Sequence, residues 1–276
     1  MTGVVTPHRV PRRLGLILPP GTVGRGSLRM VERNVLAYRR AWFVFLSGFA
    51  EPVLYLLSIG IGVGKLVGKL PGPGGSAIDY RQFVAPGMLA VAAMNGAIFD
   101  TTFGFFWKFK YAKMYDAVLA TPLGAGDVAL GEMTWALMRG AFYAVAFLVT
   151  MMLFGLVDSA WAVFAIPVAV LVGFAFAGAG LAATTYMRSF IDFDYVNLAL
   201  VPLFLFSATF FPLSRYPDAL EWVVRCTPLY QGVALERALI LGDVHWTLLV
   251  HVAYLSAMGA AGVQIAARRL GRLLQP

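Results

Sequence analysis

Ionisable side chains are scarce inside the long apolar blocks of this chain, so any chemistry would have to start from those few. Glu51, Asp100, Glu132, Arg139 and His251 each stand in a stretch that is otherwise apolar. An ionised group in hydrocarbon is costly and normally faces a cavity, a partner or another charge. Glu51 lies near the middle of its block. Its carboxylate suits a polar contact in a transport path or at a subunit interface, and equally a structural hydrogen bond as the neutral acid. Asp100 is roughly 10 Å from one end of its block by helix rise, a depth that suits pairing. Glu132 and Arg139 are seven residues apart and share a helix face, so they read as structural charges that pair with each other or with neighbouring helices. His251 reads as a packed polar residue, because a metal would need companions that the sequence does not supply. Cys226 is the only cysteine, which excludes an intramolecular disulfide and a thiolate cage. No nucleophile, acid pair or histidine cluster is assembled, so no catalytic residue and no metal ligand is expected.

A nucleotide site is not expected either. The closest string to a phosphate-binding loop runs from Gly60 to Leu66. It lacks the first glycine at the required spacing and has Leu66 where a Ser or Thr would hold magnesium. The glycines at 60, 62 and 64 fit close helix approach better. The chain therefore binds no cofactor of its own on this reading.

These residues are carried by apolar blocks of bilayer length. A helix crosses about 30 Å of hydrocarbon with roughly 20 residues. The 276 residues are 59% hydrophobic and 13% charged, with a mean hydropathy of +0.75, unlike a soluble domain. The net charge of +8 is not one patch. It gathers in the first 40 residues, after the second apolar block and at the C-terminus, which is the positive-inside pattern and argues against nucleic acid as a partner. Lys65, Lys69 and Arg81 fall on the opposite side, and the arginines of the first 40 residues outweigh them.

The expected fold is an all-α polytopic membrane protein with six transmembrane helices, at about 41–64, 83–107, 128–157, 160–187, 195–213 and 246–267. Residues 1–24, rich in Pro, Gly and Arg, read as a flexible cytoplasmic tail before a single permease domain, 25–276. Over 27–42, Leu28, Val31, Val35, Tyr38 and Trp42 share one helix face, with Arg25, Arg29, Arg33 and Arg40 opposite. That pattern suits an amphipathic helix lying in the interface; an ordinary solvated helix would also satisfy it. A short cytoplasmic helix is expected at about 110–122, ended by Thr121-Pro122. Residues 217–241 are too polar to span and too apolar for a loop. Pro217 with Asp218 and Glu221, then Thr227-Pro228 as N-cap and first turn, with Gly242 as terminator, read as two short re-entrant helices. Six spans put both termini in the cytoplasm. Small residues crowd the fourth span, from Gly173 to Ala182, as in tightly packed membrane helices.

The order of these elements resembles the membrane subunit of type-2 ATP-binding-cassette (ABC) exporters. Particular strings sharpen the resemblance: EPVLYLLSIGIGVGKLVG at 51–68, YRQFVAPGMLA at 80–90, YDAVLATPLGAGDVALGEMTWA at 115–136, LFLFSATFFPL at 203–213, then PLY at 228–230 and ERAL at 236–239. They look like the branch that groups nodulation protein J with lipo-oligosaccharide and daunorubicin-resistance-type permeases, over roughly 28–268. Ala208 departs from it, standing where many relatives carry glycine.

The resemblance implies two permeases, as a homodimer or with a related paralogue, and two copies of a cytoplasmic ATPase that binds Mg-ATP, in the bacterial inner (plasma) membrane. It implies that 110–122 is a coupling helix, with Arg33, Lys113, Tyr115, Asp116, Leu119 and Pro122 in the ATPase-coupling set. The substrate path between the permeases would use Glu51, Asn95, Asn197 and Thr209. Glu236 and Arg237 would be structural charges near the outer end, beside Asp100, Glu132 and Arg139. A mostly apolar lining suits an amphipathic substrate (a lipid-linked compound, glycolipid, lipo-oligosaccharide or hydrophobic drug) amid membrane lipid. Two other classes stay open: an ion-coupled secondary transporter, which would show internal repeats and midplane titratable groups, and a membrane-embedded transferase, which would show clustered acids or a nucleophile.

Overall fold

The pattern of apolar blocks becomes a helical protein in the computed structural model, which describes residues 25–38, 50, 53–54, 56–58, 62–72, 75–119 and 125–274. The expected tail, most of the first span including Glu51, and Pro122 lie outside the described residues. Among these, four helices are long and apolar enough to cross a membrane: Tyr80–Tyr111, Gly126–Leu153, Ala160–Thr184 and Leu248–Leu270.

The chain order is α1 (Arg25–Tyr38), a one-turn helix α2 (Gly64–Val67), a hairpin of β1 (Lys69–Pro71) and β2 (Ala77–Asp79), then α3 (Tyr80–Phe99). The hairpin was not expected in an all-α chain. Its strands pair antiparallel with Leu70 opposite Ile78, and both of those side chains are buried. Pairing satisfies backbone groups that a Gly/Pro loop would leave to water.

α3 starts earlier than expected, because Gln82 Oε1 accepts the Asp79 N–H at 3.0 Å and caps the helix there. It also runs on further, through π-helical turns at Asp100–Gly104 and Trp107–Tyr111. The Thr101 and Thr102 hydroxyls donate back to the carbonyls of Ala97 (2.7 Å) and Ile98 (2.6 Å). Such back-bonding competes with the helix's own ladder and helps widen a turn. The expected coupling helix at 110–122 is corrected at its start. Span two still occupies Tyr111, Lys113 takes a left-handed φ of 44°, and only then does α4 (Met114–Leu119) begin.

α5 (Ala125–Leu153) follows, then a 3-10 turn (Ala160–Phe164) leading into α6 (Ala165–Thr184). The expected span 195–213 is also corrected. α7 covers Asp192–Leu205, 14 residues, or roughly 21 Å of rise, short of a full crossing. It stops at Phe206, and Ala208 then adopts φ 55°. Two short helices, α8 (Asp218–Cys226) and α9 (Pro228–Leu241), precede α10 (Leu248–Leu274). The Thr227 hydroxyl accepts the Tyr230 N–H at 3.4 Å, and Gly242 closes α9 at φ 84°.

α6 is central and packs on α3, α5, α9 and α10. Its closest neighbour is α10, because a Cβ placed on Gly178 would lie 2.6 Å from the Gly259 carbonyl oxygen. Only the absence of side chains lets the two backbones approach so closely.

Candidate coupling junction and transport path

The charges inside the blocks sort by register. Asp100 and Lys108 are eight residues apart on span two, which in a regular α-helix would turn them about 80° away from each other. One π turn between them absorbs one residue, so they behave as a pair seven apart and share a face. Glu132 and Arg139 on α5 are seven apart as well. The antiparallel α5 therefore meets both. Arg139 donates to Asp100, and Lys108 Nζ lies 2.5 Å from Glu132 Oε2. Glu132 and Arg139 thus pair with neighbouring elements rather than with each other.

A second cation reaches Glu132 from α1, with Arg33 2.9 Å from Oε1. Arg33 also donates to Asn34 at 3.4 Å. Glu132 is only 6% exposed, so its two cations offset a desolvation cost that would otherwise be several kcal/mol. α4 roots in the same place. The Tyr115 ring is fully buried and stacks on Phe105 at 5.2 Å. Burial and the nearby Glu132 carboxylate push its phenol up, and its hydroxyl has no hydrogen-bond partner among the described residues. One carboxylate thus joins α1, the end of span two and α5, with α4 resting against it.

Of the other expected coupling residues, Lys113 sits exposed at the left-handed turn before α4. Asp116 and Leu119 belong to α4, their side chains outside the described residues. Pro122 lies outside them altogether. The basic residues after the second apolar block served in the sequence only to mark a membrane side, and nothing in their spacing singled out Lys108 as the partner of Glu132. Its distance of eight from Asp100 was a usable signal only with the π turn known.

At the opposite end a second polar node ties α9 to span two and to the end of α7. The Arg237 guanidinium donates to the carbonyls of Phe83 (3.2 Å), Ala208 (2.8 Å) and Thr209 (3.5 Å), and lies 3.8 Å from the Phe83 ring centre. Thr209 is fully buried, its hydroxyl 2.8 Å from that of Ser207. Backbone that leaves the helix within a membrane must be satisfied by protein, and Arg237 does this for 208 and 209. Glu236, its neighbour in sequence, is fully buried with neither carboxyl oxygen hydrogen-bonded among the described residues. His251 and Gln231 hydrogen-bond side chain to side chain. Asn95 and Asn197 are exposed, on span two and α7. Thr209 is not brought together with either of them, and Glu51 lies outside the described residues.

A cavity of about 610 Å³ opens between span two, α6 and α7. Beside it an aromatic cluster covers the junction end, where Tyr111 stacks on Phe190 at 4.7 Å and Phe106 meets Phe193 edge-on at 5.3 Å.

Buried charge pairs and four helices of membrane length among the described residues define a polytopic helical membrane protein. The chain matches the ABC-2 type transporter family over residues 27–267. It belongs to that family, and is the transmembrane permease of an ABC transporter. It is 30% identical to nodulation protein J of Rhizobium leguminosarum bv. viciae over 240 residues, 86% of this chain and 90% of that one. With the protein of the same name from Rhizobium leguminosarum bv. trifolii the identity is 32% over 232 residues, 82% and 87% of the two chains. With that of Rhizobium meliloti (strain 1021) it is 28% over 247 residues, 89% and 92%.

Proposed function

We propose that this permease is the membrane half of an exporter whose motion is supplied by a separate ATPase gripping α4. Two permeases, identical or paired with a paralogue, and two ATPase subunits carrying Mg-ATP make the working unit in the bacterial inner membrane. Each permease crosses six times with both termini in the cytoplasm. The first span and α7, continued beyond its break, complete the four apolar helices, and α8 and α9 fold back into the outer face. The substrate is amphipathic: a lipid-linked compound, a glycolipid or lipo-oligosaccharide, or a hydrophobic drug. Glu51, Asn95, Asn197 and Thr209 are its polar contacts along an otherwise apolar path.

The observation that carries the coupling assignment is the rooting of α4 through Tyr115 beside Glu132. A push on a short rigid helix there reaches α1, span two and α5 together, the kind of packed contact through which rigid-body rocking is transmitted. Asp116 and Leu119 then serve as docking residues, with Arg33 and Lys113 flanking and Pro122 ending the helix.

The test is to co-express the permease with an ABC ATPase that copurifies with it, reconstitute the complex, and compare wild type with Asp116→Ala and Leu119→Ala. Membrane insertion should be unchanged, while substrate-stimulated ATP hydrolysis and export fall together. Full-rate export by both variants would reject the docking assignment. Export that needs a proton gradient and no ATPase would instead establish the ion-coupled alternative.

A further inference from the structure

The small-residue face of α6 is used twice. Gly178 takes the close approach of α10. The next face, Ala179, Gly180 and Ala183, meets span two at Gly180, where a Cβ would collide with the Thr101 hydroxyl, and beside that contact it forms one wall of the cavity of about 610 Å³ whose other walls are Ile98 and Thr102 of span two and Val196, Ala199 and Leu200 of α7. That volume falls within the roughly 300–1,000 Å³ usual for small-molecule sites. From Asp192 to Leu200 the groove follows α7 for roughly 12 Å by helix rise. That is close to the ~15 Å hydrocarbon depth of a single leaflet, half of a bilayer core.

The polarity of the groove is one-sided. The Thr102 hydroxyl is already committed to the Ile98 carbonyl at 2.6 Å, so the apolar length asks for no hydrogen bond. The remaining polar lining, Tyr186, Arg188, Asp192 and Tyr195, gathers at one end. Lys110 is tethered there, its Nζ 3.1 Å from the Arg188 carbonyl oxygen, and Arg269 stacks on Tyr186 at 3.6 Å. Two acids oppose these three cations. The Asp192 carboxylate is occupied by the Arg188 (2.6 Å) and Ser189 (3.0 Å) N–H groups, and Asp194 is exposed. Among the described residues the Arg188 guanidinium has no ion-pair partner within 4.0 Å.

We propose that this groove binds one acyl chain of an anionic phospholipid, with the lipid phosphate held at the Arg188 end. The chain fills a groove that none of the described residues occupies, and the cationic rim selects the headgroup. Bound there, the lipid is a wedge that keeps α7 off α6. The site needs only that the protein is embedded in a membrane, so it stands or falls separately from the exporter reading.

The test uses the full-length purified permease in detergent, incubated with dioleoylphosphatidylglycerol or dioleoylphosphatidylcholine, with retained lipid counted by native mass spectrometry. A cation near the headgroup contributes about 1 kcal/mol. Wild type should therefore retain the anionic lipid about fivefold over the zwitterionic one. Arg188→Lys should keep that preference, and Arg188→Gln should bring the ratio near one. Ala199→Phe should lose both lipids by filling the groove. Ala183→Leu repeats that arm if Ala199→Phe does not fold, and exposed Arg188 decides the headgroup claim without core disturbance. An unchanged ratio in Arg188→Gln, or undiminished retention in the filled variants, overturns the proposal. So does a filled variant that turns a dimer into a monomer with lipid retention intact, which would make a second copy of the chain the occupant.

Discussion

The Arg237 guanidinium donates to the Ala208 carbonyl at 2.8 Å, and Ala208 is held at φ 55°. A cation on α9 thus stabilises a left-handed residue just beyond the end of α7, and that combination allows the backbone to turn inside apolar surroundings. The residue that departs from the resembling family, alanine where many relatives have glycine, proves to be one that pays a conformational penalty.

The penalty can be weighed. A left-handed L-residue costs about 1–2 kcal/mol. Ala208→Gly removes that, but gives back roughly 0.5–1 kcal/mol of unfolded-chain entropy and about 0.8 kcal/mol for a buried methyl. The expected change is within ~1 kcal/mol of wild type. Ala208→Val has no such relief, since a β-branched residue at positive φ is a genuine outlier, and it should lose roughly 1–3 kcal/mol. Unfolding in a detergent titration reads both. Equal stability of the Val and Gly variants would contradict the backbone argument.

Arg237 itself serves three carbonyls and one ring. A hydrogen bond to a charged donor contributes about 1.5–3 kcal/mol, so Arg237→Met should cost at least about 3 kcal/mol. Arg237→Lys keeps the charge but not the planar fork, and should fall between. The thermal midpoints should therefore descend from Arg to Lys to Met. A Met variant as stable as wild type would show that the carbonyls find other donors.

At the other end, Glu132 is bracketed by Lys108 and Arg33. Glu132→Gln leaves two cations without their anion, and breaking a buried pair typically costs about 3–5 kcal/mol. Lys108→Met alone leaves Glu132 with Arg33 and should cost less. The double variant should be more stable than the sum of the single losses by roughly 1–3 kcal/mol. Additive losses would mean that Lys108 and Glu132 do not share one energy term. Substrate-stimulated ATP hydrolysis in the same variants separates a coupling defect from a folding defect.

Some of this architecture is written locally, some only in three dimensions. Apolar blocks reveal themselves because bilayer length is a one-dimensional quantity. Thr227-Pro228 and Gly242 bracket α9 because N-cap, proline and left-handed glycine chemistry is local. The early end of α7 is different. Ser207 and Thr209 interrupt the apolar run between Leu205 and Phe211, but small hydroxyl residues are common inside membrane helices, and Pro202 lies within the helix rather than at its stop. The break depends on Arg237, nearly thirty residues away. The pairing of Glu132 depended on a π turn in another helix, which shifts register by one residue without changing composition. The hairpin at 69–79 escaped because three-residue strands carry too short an alternation to register.

The crossing of α6 and α10 is the place where a single carbon should matter most. A Cβ on Gly262 would meet the backbone of Gly178, and one on Gly178 would lie 2.6 Å from the Gly259 carbonyl oxygen. Neither obstacle is a side chain that can swing aside, so the helices would have to separate. Between membrane helices the attraction is mainly van der Waals packing, and a small increase in separation loses it along the whole contact. Gly262→Ala should therefore cost roughly 1–3 kcal/mol, as overpacking does elsewhere. Gly140 on α5 is the control, since a Cβ there meets nothing within 4 Å. Gly140→Ala should be neutral or gain about 0.4–1 kcal/mol from the unfolded chain's lost freedom. Unfolding midpoints of the two variants, measured side by side in one detergent, should move in opposite directions or differ by that margin. A Gly262→Ala protein as stable as wild type would mean that α6 and α10 do not touch as closely as the backbones stand here.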